Sequence, residues 1–276
     1  MPKMKLCDIS SRLRNAGIDS ADFEARLLVS HFTGISESRL IADRDADLPE
    51  STALWEAVKR RCTREPLQYI LGEWDFMGLT FKVTPDCLIP RADTELLCEL
   101  AISKLPKDGR VLDLCTGSGC IAASVAHYRR DADACALEKF ERTADVAKEN
   151  FEKLTGSRVR LVIADATSSA DAEKHFAGES FDMIVSNPPY VTAEEMSSLE
   201  CELSFEPSAA LTDGGDGLGF YRAITEIYMP YLRIGGILAF EHGYTQGEAV
   251  RKILGESSVT LCDLGGNPRV TYFIKE

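Results

Sequence analysis

Val111-Leu112-Asp113-Leu114-Cys115-Thr116-Gly117-Ser118-Gly119 is the segment that says most about the architecture of this chain. Its first four residues, three of them apolar, have the character of a short buried strand. Two glycines follow in a loop of small residues, and Cys120–Tyr128 then reads as a helix. A strand, a glycine loop and a helix in this order predict the first repeat of an α/β domain. Such a loop lets the backbone approach a ligand at a helix N-terminus.

The same alternation of strand, loop and helix continues toward the C-terminus. Further short apolar strands are predicted at 134–137, 159–163, 183–186 and 237–240. The segments 259–261 and 270–273 follow closely on one another and predict an antiparallel pair that completes the sheet. The whole pattern predicts an α/β, Rossmann-like domain with a seven-stranded, mostly parallel sheet.

The N-terminal part of the chain has a different pattern. Residues 1–72 have helical periodicity, as in the segment between a cap at Ser20 and a stop at Gly34, and predict a small all-α bundle. The basic run Lys59-Arg60-Arg61 is interpreted as the solvated face of a helix. Residues 76–83 alternate around Gly78 and predict a hairpin within a β-hairpin linker over 73–90, so that the α/β domain occupies 91–276.

Composition narrows the class of protein. The chain has 276 residues and a formal net charge of −13, which disfavours a protein that grips nucleic acid through a broad basic surface. Nine scattered cysteines indicate a reducing compartment rather than a disulfide framework. The histidines have no ligand-like spacing, so no metal site is expected. With no apolar leader or membrane span in the sequence, we expect a cytoplasmic, soluble protein.

Acidic side chains at the ends of predicted strands suggest a ligand site. Asp113 stands at the end of the first strand, where a carboxylate suits an amino group better than a pyrophosphate. Glu138 ends the second strand and is placed to accept hydrogen bonds from ribose hydroxyls. Asp165 follows the third strand and can face an adenine amino group or simply cap a helix. The glycine loop alone leaves nicotinamide dinucleotides, flavins and S-adenosylmethionine open as ligands.

Asn187-Pro188-Pro189-Tyr190 follows directly after the predicted fourth strand. The Asn187 side-chain oxygen and the carbonyl of Pro188 can accept both N–H bonds of a planar NH₂ group. These acceptors would orient the nitrogen and oppose the positive charge that develops during methyl transfer. The two prolines stiffen the turn. Four residues by themselves leave an ordinary strand-ending turn equally open.

Taken together, separated motifs in one order resemble the HemK/PrmC family of protein-(glutamine-N5) methyltransferases. The resemblance spans nearly the whole chain beyond the N-terminal bundle. It is carried by Arg64–Gly72, Leu88–Arg91 with Thr94-Glu95, Asp113–Gly119, Asn187–Tyr190, Glu206-Pro207 with Ala210-Leu211, Asp216–Leu218, and Gly235–Glu241 with Gly243 and Gln246.

The resemblance implies transfer of a methyl group from S-adenosylmethionine to the glutamine of a Gly-Gly-Gln loop in peptide chain release factors. The N-terminal bundle would help to dock the release factor, and the protein would act as a monomer without direct contact to nucleic acid. The implied catalytic residues are Asn187, Pro188, Pro189 and Tyr190. The implied donor-binding residues are Asp113, Cys115, Thr116, Gly117, Ser118, Gly119, Glu138, Asp165, Ala166 and Asn187.

The chain departs from the family pattern at three positions. Cys115 replaces the first glycine of the general methyltransferase loop, so that its contact with the donor would be made by the backbone. Ala92 follows Arg91 where proline is frequent, and Glu138 stands where aspartate is common. None of these changes removes a group that the implied chemistry needs.

Other functions remain open from the sequence. A ribosomal-protein glutamine methyltransferase would differ only in its substrate. A DNA adenine-N6 methyltransferase uses a similar acceptor turn but would have to bind a polyanion. The excess of acidic residues in this chain disfavours such binding. From other classes, a nicotinamide-dependent oxidoreductase or a non-catalytic adaptor can be built on the same fold.

Overall fold

The computed structural model describes residues 5–43 and 47–276. Residues 1–4 and 44–46, which fall within the predicted N-terminal bundle, lie outside the described part. The chain divides into two compact units. The first consists of Met1–Glu73 with Glu200–Phe205, and the second consists of Trp74–Leu199 with Glu206–Glu276.

The first unit is helical. Its helices are α1 (Leu6–Asn15), α2 (Ala21–Thr33), α3 (Glu37–Ala42), α4 (Thr52–Cys62) and α5 (Leu67–Leu71). Helix α2 ends where Gly34 adopts a left-handed conformation, φ 72°, and α4 begins where the Ser51 hydroxyl accepts a hydrogen bond from the Leu54 amide. Apolar side chains on the facing sides of α1, α2 and α4 form the core of this unit.

The interpretation of the basic run as a solvated helix face is wrong for Arg61. Lys59 and Arg60 are exposed, but the Arg61 side chain is only 6% exposed. Position 61 lies on the same side of α4 as the buried Leu54 and Val58, because residues three and seven apart share a helix face. The Glu24 carboxylate on α2, 2.5 Å from Arg61 Nε, neutralises the buried guanidinium.

Next along the chain comes a two-stranded sheet, β1 (Glu73–Phe76) and β2 (Leu79–Lys82), joined by a turn at Met77 and Gly78; all of it except Glu73 belongs to the second unit. A 3₁₀ turn at Ala92–Thr94 then leads into helix α6 (Glu95–Lys104). The hairpin contributes Phe76 and Phe81 to the core of the second unit, where their rings pack edge to face.

A seven-stranded sheet forms the centre of the second unit. Its strands are β3 (Arg110–Leu114), β4 (Asp133–Glu138), β5 (Val159–Ile163), β6 (Phe181–Ser186), β7 (Leu232–Glu241), β8 (Val259–Cys262) and β9 (Pro268–Ile274). The order is β5-β4-β3-β6-β7-β9-β8, and β9 is antiparallel to both of its neighbours. The predicted fold class, a mostly parallel seven-stranded sheet, is confirmed.

Helices and apolar side chains cover both faces of this sheet. Besides α6, the helices of this unit are α7 (Cys120–Tyr128), α8 (Glu141–Thr155), α9 (Ser169–Phe176), α10 (Ser208–Leu211), α11 (Gly219–Tyr228) and α12 (Gly247–Leu254). Two separate clusters of buried side chains lie against the strands, one containing Ala123 and Phe151 and the other containing Phe176 and Tyr221. Within residues 5–43 and 47–276, no helix is long and apolar enough to cross a membrane.

The strand order places a switch in chain direction at the centre of the sheet. From β3 the chain proceeds outward through β4 to β5, and it returns on the other side of β3 with β6. Open α/β sheets bind ligands in the crevice outside the carboxyl ends of the strands at such a point. Because Leu114 pairs with Ser186, the glycine loop after β3 and the Asn187 turn after β6 begin side by side.

Candidate functional site

The loop after β3 has an unusual backbone. Cys115, Gly117 and Gly119 all have positive φ, at 60°, 57° and 81°. At Gly119 a Cβ would stand 2.6 Å from the Phe151 ring, so only glycine fits there. At Gly117 a Cβ would meet nothing within 4 Å, which leaves the backbone open to a ligand. Cys115 adopts a conformation that favours glycine, which explains why glycine is usual at this position.

Asp113 lies beneath this loop and holds it in place. One carboxyl oxygen, Oδ2, accepts hydrogen bonds from the Thr116 hydroxyl at 2.5 Å and from the Ala122 amide at 3.1 Å. The other oxygen is buried and has no hydrogen-bond partner among the described residues. Burial raises the pKa of Asp113 to about 7, although both hydrogen bonds oppose the shift. Asp113 does not line the pocket described below, and its contact with a donor amino group stays a prediction.

Glu138 at the end of β4 connects the second strand to the same loop. Its carboxylate accepts hydrogen bonds from the amides of Gly117, Lys139 and Phe140, at 3.0, 2.9 and 3.0 Å. Burial raises the pKa of Glu138, and these three amides oppose that effect. A carboxylate offers about four lone-pair positions, so one acceptor position remains. Glu138 lines the pocket, where that position can accept from a hydroxyl.

Asp165 and Ala166 line the pocket beyond the end of β5. The Asp165 oxygen Oδ1 accepts from the Thr167 amide and hydroxyl, while Oδ2 lies 2.8 Å from the Lys139 ammonium. Burial by itself would raise the pKa of Asp165, but Lys139 and Thr167 outweigh it and hold the pKa below its usual range. The carboxylate therefore stabilises a turn and an ion pair, and an adenine contact through it stays a prediction.

The Asn187 turn stands at the opposite side of the pocket. Asn187 Nδ2 donates a hydrogen bond to the Thr94 hydroxyl at 3.1 Å, and both residues line the pocket together with Pro189. Pro188 is buried and is not part of the pocket wall. The Tyr190 carbonyl accepts from Gln246 Nε2 at 2.9 Å, which fixes the end of the turn. Burial raises the pKa of the Tyr190 hydroxyl to about 12.

These elements surround one pocket of about 880 Å³, counting the part that is open to solvent. Cys115, Thr116, Gly117, Ser118, Glu138, Asp165, Ala166 and Asn187 line it, as do residues to which the sequence assigned no role. Residues 86–91 form one wall, and Phe140 and Phe220 contribute aromatic surface.

Glu206 holds the wall formed by residues 86–91. Its carboxylate accepts a hydrogen bond from the Ile89 amide at 3.1 Å and forms an ion pair with Arg91. Glu206 is 7% exposed, whereas the Arg91 side chain is 36% exposed, so only the carboxylate end of the ion pair is shielded from solvent. The sequence gives no signal for this contact, because more than a hundred residues separate the partners and no spacing rule connects them.

Among residues 5–43 and 47–276, no group of three or more histidine, cysteine, aspartate or glutamate side chains is arranged to hold a metal ion. The polar groups around the pocket are amides, hydroxyls and carboxylates, together with the cationic side chains of Arg91 and Lys139. They suit a ligand with hydroxyl and amino groups, and a carboxamide or amine presented to Asn187.

Comparison with known protein families matches two parts of the chain. Residues 6–72 match the PrmC N-terminal domain, and residues 92–218 match the methyltransferase small domain. A release factor glutamine methyltransferase of Burkholderia pseudomallei is 40% identical over 253 residues, covering 88% of this chain and 86% of that protein. The protein of the same name from Geobacter sulfurreducens is 38% identical over 259 residues, covering 93% and 89%.

A methyltransferase from Pyrococcus furiosus has a similar fold. It superimposes with a TM-score of 0.51 over 72% of this chain and 90% of its own length, at 19% sequence identity. At this identity the similarity concerns the fold alone.

Proposed function

Since this chain belongs to the family of release factor glutamine methyltransferases, we propose that it methylates the side-chain amide nitrogen of a release factor glutamine. The methyl donor is S-adenosylmethionine, and the acceptor is the glutamine of the Gly-Gly-Gln motif. The observation that carries this proposal is the position of the Asn187 amide on the wall of the pocket formed by the β3 loop.

The residues of the pocket fit the donor. The open space at Gly117 allows the backbone of the loop to approach a ligand closely, and Glu138 has an acceptor position left for a ribose hydroxyl. We assign the unpartnered oxygen of Asp113, beneath the loop, to the ammonium group of the donor. We assign the adenine side to Asp165 and Ala166. The donor supplies an electrophilic methyl group on a sulfonium centre.

The acceptor side has to orient a weak nucleophile. An amide nitrogen shares its lone pair with the carbonyl, so attack requires that the NH₂ group be held in line with the methyl group. In the proposed site the Asn187 oxygen and the Pro188 carbonyl accept the two N–H bonds, Pro189 stiffens the turn, and Tyr190 packs against the substrate. A nitrogen–carbon bond forms as the sulfur–carbon bond breaks, and the nitrogen then releases one proton to solvent.

We assign release factor docking to the N-terminal domain, residues 1–72, with residues 73–90 as the connection to the catalytic domain at 91–276. In this proposal the protein acts as a monomer in the cytoplasm and makes no direct contact with nucleic acid. A helical unit in front of a catalytic domain can contribute binding energy for a protein substrate without touching the reacting atoms.

Incubation of the protein with S-adenosylmethionine and a release factor tests the function. We expect mass spectrometry to find one added methyl group on the glutamine of the Gly-Gly-Gln motif. A release factor in which this glutamine is replaced by alanine serves as the control and should remain unmodified. Methylation of a ribosomal protein or of adenine in DNA, with none on the release factor, would contradict the proposal.

A further inference from the structure

The side chain of Asn187 has two chemically different ends. Its oxygen accepts hydrogen bonds and its NH₂ group donates them, and the two ends occupy nearly the same volume. In the proposed function the oxygen must point toward the acceptor NH₂, because a donor in that place would repel the N–H bonds of the substrate. Some other group must therefore hold the NH₂ end away from the substrate.

Thr94 is the group that contacts this NH₂ end. Its hydroxyl accepts the hydrogen bond from Asn187 Nδ2 at 3.1 Å, and Thr94 itself is only 2% exposed. Thr94 ends the 3₁₀ turn that precedes α6. A hydroxyl that accepts one hydrogen bond still has its own proton to donate. The direction in which Thr94 donates thus decides which way the Asn187 amide faces.

Glu241 is a buried carboxylate close to that hydroxyl. It ends β7, one residue beyond the pairing of Ser186 with Phe240, so it lies beside the start of the Asn187 turn. Glu241 is 1% exposed, and its oxygen Oε2 has no hydrogen-bond partner among the described residues. The side chains of Thr94 and Asn187 lie close enough to stabilise its negative charge. The catalytic chemistry described above makes no other use of this buried carboxylate.

We propose that Glu241 and Thr94 are positioning residues that hold the Asn187 amide with its oxygen toward the substrate. A carboxylate can only accept hydrogen bonds, so Thr94 donates to Glu241 and must accept from Asn187. The NH₂ end of Asn187 then faces Thr94, and the oxygen faces the pocket. This inference rests on the proposed function, since it assigns the acceptor role to the Asn187 oxygen.

Protonation of the Glu241 carboxylate reverses this arrangement. Burial raises its pKa to about 7; Thr94 and Asn187 oppose the shift, as does Arg269, while Asp93 adds to it. Below this pKa the carboxyl group donates to Thr94, Thr94 donates to the Asn187 oxygen, and the amide turns its NH₂ end toward the substrate. The ionisable groups around Glu241 are Asp93, Cys98, Cys120, Tyr190, Tyr221 and Arg269.

Substitution of Thr94 gives the first test. With donor at saturation, Thr94→Val should lower kcat by about 10²-fold, the effect of misplacing a reacting group, while the Kd of S-adenosylhomocysteine stays near that of the wild type. Thr94→Ser retains the hydroxyl and should recover most of the loss. Thr225→Val is the matched control, since the Thr225 hydroxyl is buried on α11 without a described partner.

The outcomes of this test are distinct. An unchanged kcat in Thr94→Val would overturn the positioning role, and so would a loss of donor affinity as large as the loss of kcat, because that result indicates a damaged pocket. The absence of glutamine methylation by the wild-type protein would instead contradict the proposed function.

Nuclear magnetic resonance tests the positioning role without catalysis. The side-chain NH₂ signals of Asn187 can be assigned by their absence in Asn187→Ala. In the wild-type protein we expect them to shift with a midpoint near the pKa of Glu241, at about pH 7. In Glu241→Gln this titration should disappear while S-adenosylhomocysteine still binds. Signals that titrate equally in both proteins would overturn the inference even if no acceptor substrate were known.

Discussion

At the scale of single residues, the role of Asn187 depends both on the chemistry of its side chain and on its position in the fold. The motif Asn187–Tyr190 indicates a clamp for a planar NH₂ group, and it equally fits an ordinary turn. Its position on the pocket wall, with Nδ2 bound to Thr94, makes the oxygen available to a ligand. The identity of the residue was readable from the chain, but its two buried partners, Thr94 and Glu241, were not.

Replacement of Asn187 by alanine tests the acceptor role. We expect kcat for release factor methylation to fall by at least about 10²-fold, because the lost contact strengthens as charge develops on the nitrogen. The affinity for S-adenosylhomocysteine, measured by isothermal titration calorimetry, should change little. A parallel loss of donor affinity and kcat would mean that Asn187 is a donor ligand instead.

Cys115 gives a second case at this scale. The sequence showed a cysteine where a methyltransferase loop usually has glycine, and predicted that only its backbone matters for the ligand. The structure adds that this residue has φ 60°, a conformation that costs energy for any side chain larger than glycine. A local strain of this kind depends on the path of the loop and cannot be read from composition.

At the scale of elements, the short apolar segments that alternate with loops and helices predicted every strand of the large sheet. The predicted ranges were shorter than the observed ones at several ends, as in β7, which begins at Leu232 rather than at residue 237. The added residues of β7 include Gly235 and Gly236, which have no strand propensity of their own. Gly235 has a positive φ of 77°, and this segment joins the sheet through hydrogen bonds between Gly235 or Gly236 and Lys275 near the end of the chain.

Helix α4 provides a prediction about a buried charge. Arg61→Met should destabilise the helical unit by about 3–5 kcal/mol, because it leaves the buried Glu24 carboxylate without its partner. The adjacent Arg60 forms an exposed pair with Glu65, and Arg60→Met should cost at most about 1 kcal/mol. Urea unfolding followed by far-ultraviolet circular dichroism measures both changes.

A double substitution supplies the control for this pair. Glu24→Leu combined with Arg61→Met removes both charges and should recover part of the lost stability, since apolar replacements of a buried ion pair are often tolerated. Equal destabilisation by Arg61→Met and Arg60→Met would show that the burial of Arg61 does not affect the free energy of unfolding.

At the scale of the whole molecule, two buried acids should make stability depend on pH. Burial raises the pKa of Asp113 and that of Glu241 to about 7 each. Between about pH 4 and pH 7 the folded protein therefore holds protons that the unfolded chain releases. The free energy of unfolding should fall as pH rises through this range, by about 1 kcal/mol per pH unit for each group, and level off above it.

Asp113→Asn isolates one of the two contributions. Without bound donor, the decrease in unfolding free energy between pH 5 and pH 7.5 should be smaller than that of the wild-type protein by the Asp113 contribution, about 1 kcal/mol per pH unit up to its pKa of about 7. Urea titrations at constant ionic strength measure the difference. Acids with lowered pKa, such as Asp165, titrate below this range and leave it undisturbed. Identical pH dependence in the two proteins would refute the assignment to Asp113.

The sequence by itself determined the succession of strands and helices along the chain, the glycine loop and the Asn187 turn. These features depend on neighbouring residues, through apolar periodicity and the conformational demands of glycine and proline. Only the tertiary structure decided which distant side chains meet: Arg61 with Glu24, Glu206 with Arg91, and Thr94 with Asn187 beside Glu241. Such pairs form because strand order and helix packing bring remote segments together, and burial then requires each polar group to find a partner.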